Sequence, residues 1–196
     1  VKKKNKWYER NVKFSKIKKP EFLDIQTDIK KFEKKIGINI SYKQKFIEYS
    51  PLLLKYLKKI SEKIITCKGG LLIIDYGYIN EQMKNTLQSL SNHKFNDVLN
   101  NFSNSDITYN LNFKLIEKIA KKFNLKVTGT ISQKKFLTNL GILKRAEIIA
   151  KKLSFSKKAD IYFRVKRLID KSSMGELFKV MLITKKNIKF KTGFVD

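Results

Sequence analysis

Cysteine and histidine are almost absent from this sequence. Its 196 residues include one cysteine, Cys67, and one histidine, His93. A single cysteine excludes an internal disulfide and indicates a reducing compartment, and we expect Cys67 to be buried and inert near the end of a helix. Without a second histidine or a cysteine cluster, the sequence also excludes a metal site built from these ligands.

Glycine-rich and long apolar segments are missing as well. None of the eight glycines forms a G-x-G cluster between a strand and a helix, which excludes a glycine-rich cofactor loop within the chain. The clear apolar runs, such as residues 71–74, have the length of a strand and are too short to span a membrane. The basic start at residues 2–6 is not followed by an apolar region, so we expect no secretory signal, and Val1 in place of Met predicts a truncated or internal start.

Acidic residues are scarce, and the resulting charge is the strongest feature of the composition. Lysine and arginine number 44 against 17 aspartates and glutamates, a net charge of +27 that is typical of proteins binding nucleic acid or anionic membranes. Only four of these residues are arginine, the side chain that best matches phosphate and guanine. Residues 69–112, which hold the most unusual motifs, carry only 2 basic and 4 acidic side chains. We therefore do not expect nucleic acid to be the main partner.

The sequence pattern of the N-terminal third predicts strands and helices in alternation. Residues 1–50 predict a basic segment with a short strand near Trp7 and a helix over 21–37, where apolar side chains recur at helical spacing. Ser50-Pro51 predicts the start of another helix, since serine can cap it and proline is tolerated at its first position.

The rest of the chain predicts the parts of a sheet. The unbroken apolar run 71–74 predicts a strand buried on both faces. It lies in a central sheet portion over 51–131 that contains a long polar loop over 76–111.

The C-terminal part predicts a helical segment over 132–170 and a closing hairpin over 171–196. The hairpin is made of residues 177–183 and 188–190, and these parts complete one partial domain over 1–196. The fold class is therefore α/β, and ligands of open parallel sheets bind beyond the carboxyl ends of the strands, where Asp75 lies.

Several sequence blocks carry a more specific signal because they occur in a fixed order. They are WYER (7–10), EYSP (48–51), GGLLIIDYGY (69–78), TLQS (86–89) with NHKF (92–95), SDIT (105–108) leading to Asn112-Phe113, SQKKFL (132–137) with LGI (140–142), and MGELFKV (174–180). Together they resemble the complex I assembly methyltransferases of mitochondria and alphaproteobacteria, the mitochondrial dysfunction A type, which are S-adenosylmethionine-dependent protein arginine methyltransferases. Only the C-terminal portion of that family is represented.

The resemblance implies a fold, a cofactor and a partner. The chain is expected to be the C-terminal half of a class I (Rossmann-like) methyltransferase sheet with added helices and a terminal β-hairpin. The cofactor of the complete enzyme would be S-adenosylmethionine, and its main binding loop would lie upstream of Val1. The substrate would be a protein, a core subunit of respiratory complex I, and the compartment the bacterial cytoplasm or, alternatively, the mitochondrial matrix.

Two titratable residues are candidates for catalysis. Asp75 follows the buried strand, and methyl transfer to a guanidine nitrogen needs a carboxylate that orients and neutralises the substrate; the alternative is an aspartate that caps the next turn. His93 could be a general base near neutral pH, although a lone histidine is also compatible with a structural role.

Three further residues are candidates for substrate binding. Tyr76 could stack on a ligand or pack the following loop. Asp106 and Thr108 could bind a peptide, or Asp106 could form an Asx-type turn before the helix that follows. The family has proline-glycine before this aspartate and histidine after the threonine, whereas Ser103-Asn104 and Tyr109-Asn110 stand here.

Three functional hypotheses remain open on the sequence alone. The chain is part of a methyltransferase, or a split subunit that is active only with an N-terminal partner, or a non-catalytic basic module that binds nucleic acid or protein. For the first two, half of a sheet should expose an edge or a face that favours association.

Overall fold

The computed structural model describes residues 1–15, 19–100 and 102–195. The chain forms two compact units, each made of two segments. Unit 1 comprises Val1–Ser50 and Asn80–Asn110, and unit 2 comprises Pro51–Ile79 and Leu111–Asp196.

The first part of unit 1 is a three-stranded antiparallel sheet followed by a helix. Strands β1 (Lys2–Lys3), β2 (Lys6–Lys13) and β3 (Glu21–Thr27) lie in that order, and helix α1 spans Ile29–Ile36. The helix predicted over 21–37 is therefore wrong in its first half. Residues 21–27 pair with β2 along their whole length, and a pairing partner distant in sequence leaves no mark on local periodicity. Asp28 then caps the helix, its Oδ1 accepting the N–H groups of Lys30 and Lys31.

The second part of unit 1 is a small sheet within the segment predicted as a loop. Strands β5 (Gln88–Ser91), β6 (Lys94–Asn96) and β7 (Asp106–Thr108) form an antiparallel sheet in the order β6-β5-β7. A 3₁₀ turn, Phe102–Asn104, precedes β7.

Unit 2 contains the main sheet. Strands β4 (Gly70–Tyr78), β8 (Leu111–Asn112), β9 (Leu125–Ser132) and β10 (Phe178–Lys185) lie in the order β8-β4-β10-β9. Strand β8 is parallel to β4, whereas β10 is antiparallel to both β4 and β9. The sheet is thus mixed, with a reversed strand between two strands of the same direction.

The predicted terminal β-hairpin is wrong. Strand β10 begins one residue after the predicted position, but it pairs with β4 and β9, and residues 188–190 form no strand. The run of β-forming residues correctly indicates a strand, whereas its partners are residues that lie 47 to 114 positions earlier in the chain.

Helices cover both faces of the β9–β10 part of this sheet. On one face, helix α4 (Gln133–Asn139) places Phe136 in a cluster with Val180, Leu182 and Phe194. On the other face, helices α2 (Pro51–Cys67) and α3 (Phe113–Lys122) pack, and Met181 and Ile183 are fully buried there. Helices α5 (Ile142–Ala150), α6 (Phe155–Ile169) and α7 (Met174–Leu177) follow α4.

Strand β4 is less covered than its apolar sequence predicts. Leu72 and Ile74 are 45% and 47% exposed, so the prediction of burial on both faces is wrong for one face. These side chains share a face with Leu182 and Val180, their register partners on β10, but the cover provided by α4 and Phe194 does not extend over them. The β4 edge away from β10 pairs only at Gly77 and Tyr78, so residues 70–76 have no strand partner there within the described chain.

The structure also bears on the predictions for Cys67 and for membrane-spanning segments. Cys67, at the end of α2, is exposed, so the expectation that it is buried is wrong. Among the described residues, no helix is both long and apolar enough to cross a membrane.

Candidate functional site

Asp75 and Tyr76 lie near the carboxyl end of β4, in unit 2. Asp75 is half-buried, and its Oδ1 accepts the N–H of Tyr76 at 2.8 Å. Its other oxygen, Oδ2, has no hydrogen-bond partner among the described residues, so it can accept a donor from a ligand. Tyr76 contacts Phe178 edge to face, with ring centroids 4.9 Å apart, which holds its ring at the end of the strand.

Gly77 fixes the geometry of this strand end. A side chain on Gly77 would meet the carbonyl oxygen of Leu111, and its Cβ would lie 2.7 Å from the ring of Phe113. Only glycine lets β8 approach closely enough to pair at Gly77 and Tyr78. The same approach places Asn112 at the start of α3, where its Oδ1 accepts the N–H of Leu115 at 3.1 Å.

His93 lies at a hairpin tip in unit 1. Asn92 and His93 are the two central residues of the turn between β5 and β6, and both have positive φ, 51° and 61°. This is the geometry of a type I′ turn, in which asparagine is favoured and histidine is tolerated. The side chain is exposed and has no hydrogen-bond partner in the described part of unit 1. Asn92 between two short runs of β-forming residues is the sequence signal that indicates this turn.

Asp106 and Thr108 lie on β7, also in unit 1. Asp106 is exposed and is the register partner of Leu90, so it belongs to a strand and not to an Asx-type turn. The hydroxyl of Thr108 accepts a hydrogen bond from Nε2 of Gln88 at 3.2 Å across the β5–β7 pair. Of the five predicted site residues, Asp75 and Tyr76 are therefore adjacent in one unit, while His93, Asp106 and Thr108 belong to the small sheet of the other.

Glu48 and Thr86, which belong to the EYSP and TLQS blocks, form a polar cluster in unit 1. Oε2 of Glu48 lies 2.5 Å from the hydroxyl of Thr86, and Oε1 accepts the N–H of Thr86 at 3.2 Å. The same hydroxyl accepts the N–H of Asn110 at 2.9 Å. Three segments that are far apart in sequence are thereby joined, which gives the EYSP and TLQS blocks a structural role.

Two buried hydroxyls of unit 1 have no partner within the described chain. They are the hydroxyl of Tyr49 and the side chain of Ser89. Burial raises the pKa of Tyr49, whose ring packs edge to face on Phe32 at 5.3 Å. Buried polar atoms of this kind normally find a partner, so both hydroxyls are available to a polar ligand or an internal water.

The glycines of the described residues do not form a glycine-rich cofactor loop. The glycines with positive φ are Gly37, Gly141 and Gly193, and none lies in a strand–turn–helix element with a second glycine two residues away. The turn from β9 into α4 is made by Ser132, whose hydroxyl caps the helix. The described residues thus contain no glycine-rich turn between a strand and a helix. The described residues also contain no group of three metal-ligating side chains.

Solved structures share this fold. A COG1565 superfamily protein from Burkholderia thailandensis superposes with a TM-score of 0.80 at 21% identity, over 99% of this chain and 53% of that one. A second structure, of a COG1565 superfamily member from the same organism bound to S-adenosyl-homocysteine, gives a TM-score of 0.80 at 20% identity and covers 99% of this chain and 51% of that one. The chain therefore has the fold of about half of each of these proteins.

Curated relatives are methyltransferases. The protein arginine methyltransferase NDUFAF7 of Xenopus tropicalis mitochondria is 28% identical over 134 residues, 68% of this chain and 31% of that protein. The mitochondrial protein arginine methyltransferase NDUFAF7 of Homo sapiens is 27% identical over 123 residues, 62% of this chain and 27% of its own length. The match thus spans about a third or less of these relatives.

The family profile covers the larger part of the sequence. The profile described as "Putative S-adenosyl-L-methionine-dependent methyltransferase" matches residues 1–131, which include β4, the EYSP and TLQS blocks and all five predicted site residues. This chain belongs to that family of S-adenosylmethionine-dependent methyltransferases, and it is related to the NDUFAF7 arginine methyltransferases.

Proposed function

We propose that the chain is the C-terminal, substrate-side part of a methyltransferase that modifies arginine in a protein. The observation that carries the proposal is the family match over residues 1–131, which spans the Asp75–Tyr76 strand end. The NDUFAF7 relatives are protein arginine methyltransferases, which supports the choice of arginine.

The uncovered side of β4 supports the assignment to half of a larger sheet. Residues 70–76 have an open edge, and Leu72 and Ile74 leave apolar surface beside it. A parallel strand on that edge would satisfy its backbone groups and continue the sheet. We infer that the cofactor-binding half of a class I sheet packs there, whether it belongs to the same polypeptide or to another.

In this proposal, Asp75 binds the guanidinium of the substrate. Its unpartnered Oδ2 would accept a hydrogen bond from the planar donor fork of arginine and neutralise its charge. When bound, S-adenosylmethionine supplies the methyl group. Tyr76 would contact the substrate beside this carboxylate, since its ring is held at the same strand end.

The remaining site residues are assigned to the substrate and to proton transfer. Asp106 and Thr108 would bind the protein substrate along β7. His93, in unit 1, is the candidate general base of the reaction. By the same resemblance, the substrate is a core subunit of respiratory complex I, and the compartment is the bacterial cytoplasm or the mitochondrial matrix.

Transfer of a labelled methyl group tests the proposal. The chain is incubated with tritiated S-adenosylmethionine and isolated complex I subunits, alone and together with a separately produced N-terminal half of a family member. We expect label on arginine only in the mixture, and we expect Asp75→Asn to reduce transfer by about a hundredfold or more, since it removes the charge that faces the guanidinium.

Asp160→Asn is the matched control, because Asp160 is an exposed aspartate of the same unit that pairs with Arg164 at 2.9 Å. It should leave transfer unchanged. If neither the chain nor the mixture transfers label while both remain folded, the enzyme proposal is wrong and the non-catalytic binding module is favoured. If Asp75→Asn and Asp160→Asn behave alike, the role of Asp75 is wrong even when transfer occurs.

A further inference from the structure

Helices α5 and α6 carry a surface that no proposed step of methyl transfer uses. The two helices pack on each other, and residues 142–169 carry nine basic and two acidic side chains. Three of the four arginines of the chain lie here: Arg145, Arg164 and Arg167. We call this region the α5–α6 surface, defined by its exposed apolar residues Ile148, Ile149, Phe155 and Phe163 and the cations around them.

Ile148 is surrounded by positive charge. Its side chain is 66% exposed, on the face of α5 opposite the buried Ala146 and Ala150. On a helix, the surface neighbours of a residue lie three and four positions away. Lys144 and Arg145 are such neighbours of Ile148 on α5, and Lys151 and Lys152 follow directly after the helix; all four are exposed.

Two phenylalanines extend the apolar part of this surface. Phe155, at the first position of α6, is 88% exposed, and Phe163, about two turns later, is 70% exposed. No residue of α6 is buried, so these rings are not part of the core of unit 2. Lys166 and Arg167 lie three and four positions after Phe163. Large apolar side chains thus alternate with cations along both helices.

Charge and chemistry decide which partner fits. A second copy of the chain would bring two strongly positive surfaces together, so self-association through this face is disfavoured. Aromatic rings strengthen binding to nucleic acid because they stack on bases, whereas aliphatic side chains such as Ile148 and Ile149 add little to that affinity. Both aromatic and aliphatic side chains strengthen binding to an anionic bilayer, because its acyl boundary accepts any apolar side chain without a matching shape. Its headgroups attract lysine and arginine.

We propose that the α5–α6 surface binds the surface of an anionic lipid bilayer. Phe155 and Phe163 of α6 enter the boundary between headgroups and acyl chains, and the lysines and arginines of the two helices contact lipid phosphates. The protein lies on the membrane without crossing it. This inference does not depend on the methyltransferase proposal, since it uses none of the proposed site residues.

Vesicle co-sedimentation of the whole chain tests the proposal. We expect binding to vesicles of phosphatidylcholine mixed with phosphatidylglycerol, little binding to phosphatidylcholine alone, and weaker binding as salt is raised. The double variant Phe155→Ser/Phe163→Ser should bind the anionic vesicles about tenfold more weakly. The double variant Lys151→Glu/Lys152→Glu should lower binding by more than about tenfold.

Matched controls separate this surface from the overall charge of the chain. Lys34→Glu/Lys35→Glu makes the same charge change in the last turn of α1, and Phe95→Ser removes a phenylalanine that is 79% exposed on β6. Both controls should bind nearly as well as the unaltered chain. Equal losses in variants and controls would mean that binding is non-specific electrostatics, and the proposal would be wrong. Absence of vesicle binding together with tight binding of a single-stranded oligonucleotide would instead make the surface a nucleic-acid site.

Discussion

At the scale of single residues, Glu33 is the carboxylate that joins helix α1 to residues 40 and 41 of unit 1. Its side chain is 8% exposed, its Oε1 accepts the N–H groups of Ile40 at 2.9 Å and Ser41 at 2.8 Å, and its Oε2 pairs with Lys30 at 3.1 Å. Burial alone would raise the pKa of Glu33, but the hydrogen bonds from Ser41, Lys30 and Ile40 outweigh burial and lower it. The charged form is thus the one that the fold stabilises.

The first prediction concerns the pH dependence of this contact. Because the folded-state pKa is lowered, the contribution of Glu33 to stability is fully present above the unfolded-state pKa and disappears as the pH falls through the folded-state pKa. Glu33→Gln should lower the free energy of unfolding by about 1 to 2 kcal/mol at pH 7 and by less near pH 3. The fluorescence of Trp7, the only tryptophan, follows urea unfolding of unit 1.

Glu62→Gln is the control, since Glu62 is exposed on α2, in the other unit. It should not change the unfolding of unit 1 at either pH. A difference between the unaltered chain and Glu33→Gln that is the same at pH 7 and pH 3 would contradict the assignment of the effect to the charge of Glu33.

At the scale of elements, the pairing of β4 with β8 depends on Gly77. Alanine at this position would place Cβ against the carbonyl oxygen of Leu111 and the ring of Phe113, both of which are held by backbone pairing and by burial. We predict that Gly77→Ala lowers the free energy of unfolding by about 2 to 3 kcal/mol, measured by far-ultraviolet circular dichroism in urea. Gly69→Ala, whose Cβ meets nothing within 4 Å, should be neutral or slightly stabilising. A similar loss of unfolding free energy in both variants would contradict the close packing of Gly77 against Leu111 and Phe113.

Elements set by local chemistry could be predicted from the sequence, and elements set by distant partners could not. Ser50-Pro51 correctly marks the start of α2, because the start of a helix depends on a few neighbouring residues. Apolar spacing predicts a helix where strand β3 lies, because spacing alone does not show that β2 pairs with it. The same limit applies to the site: Asp75 was correctly placed at a strand end, whereas the β5–β7 sheet that carries Asp106 and Thr108 depends on pairing across about 20 residues.

At the scale of the whole molecule, two opposing forces act on the uncovered side of β4. The open edge at residues 70–76 and the exposed Leu72 and Ile74 favour association. The net charge of +27 disfavours it, because like charges repel when two copies approach. Salt screens this repulsion without weakening apolar contacts. Self-association of the chain should therefore increase with salt, the opposite of the behaviour expected for vesicle binding through the α5–α6 surface.

Light scattering over a range of salt concentrations tests this prediction. The chain should have a mass near 23.0 kDa at low salt and a higher, concentration-dependent mass at high salt. Leu72→Lys/Ile74→Lys should keep it monomeric, since it places two charges on the exposed face and leaves the pairing with β10 intact. Phe95→Lys, which adds one charge on β6, should leave the association unchanged. A monodisperse monomer at high salt would mean that the β4 edge does not promote self-association. It would also count against the packing of another half of the sheet on that edge.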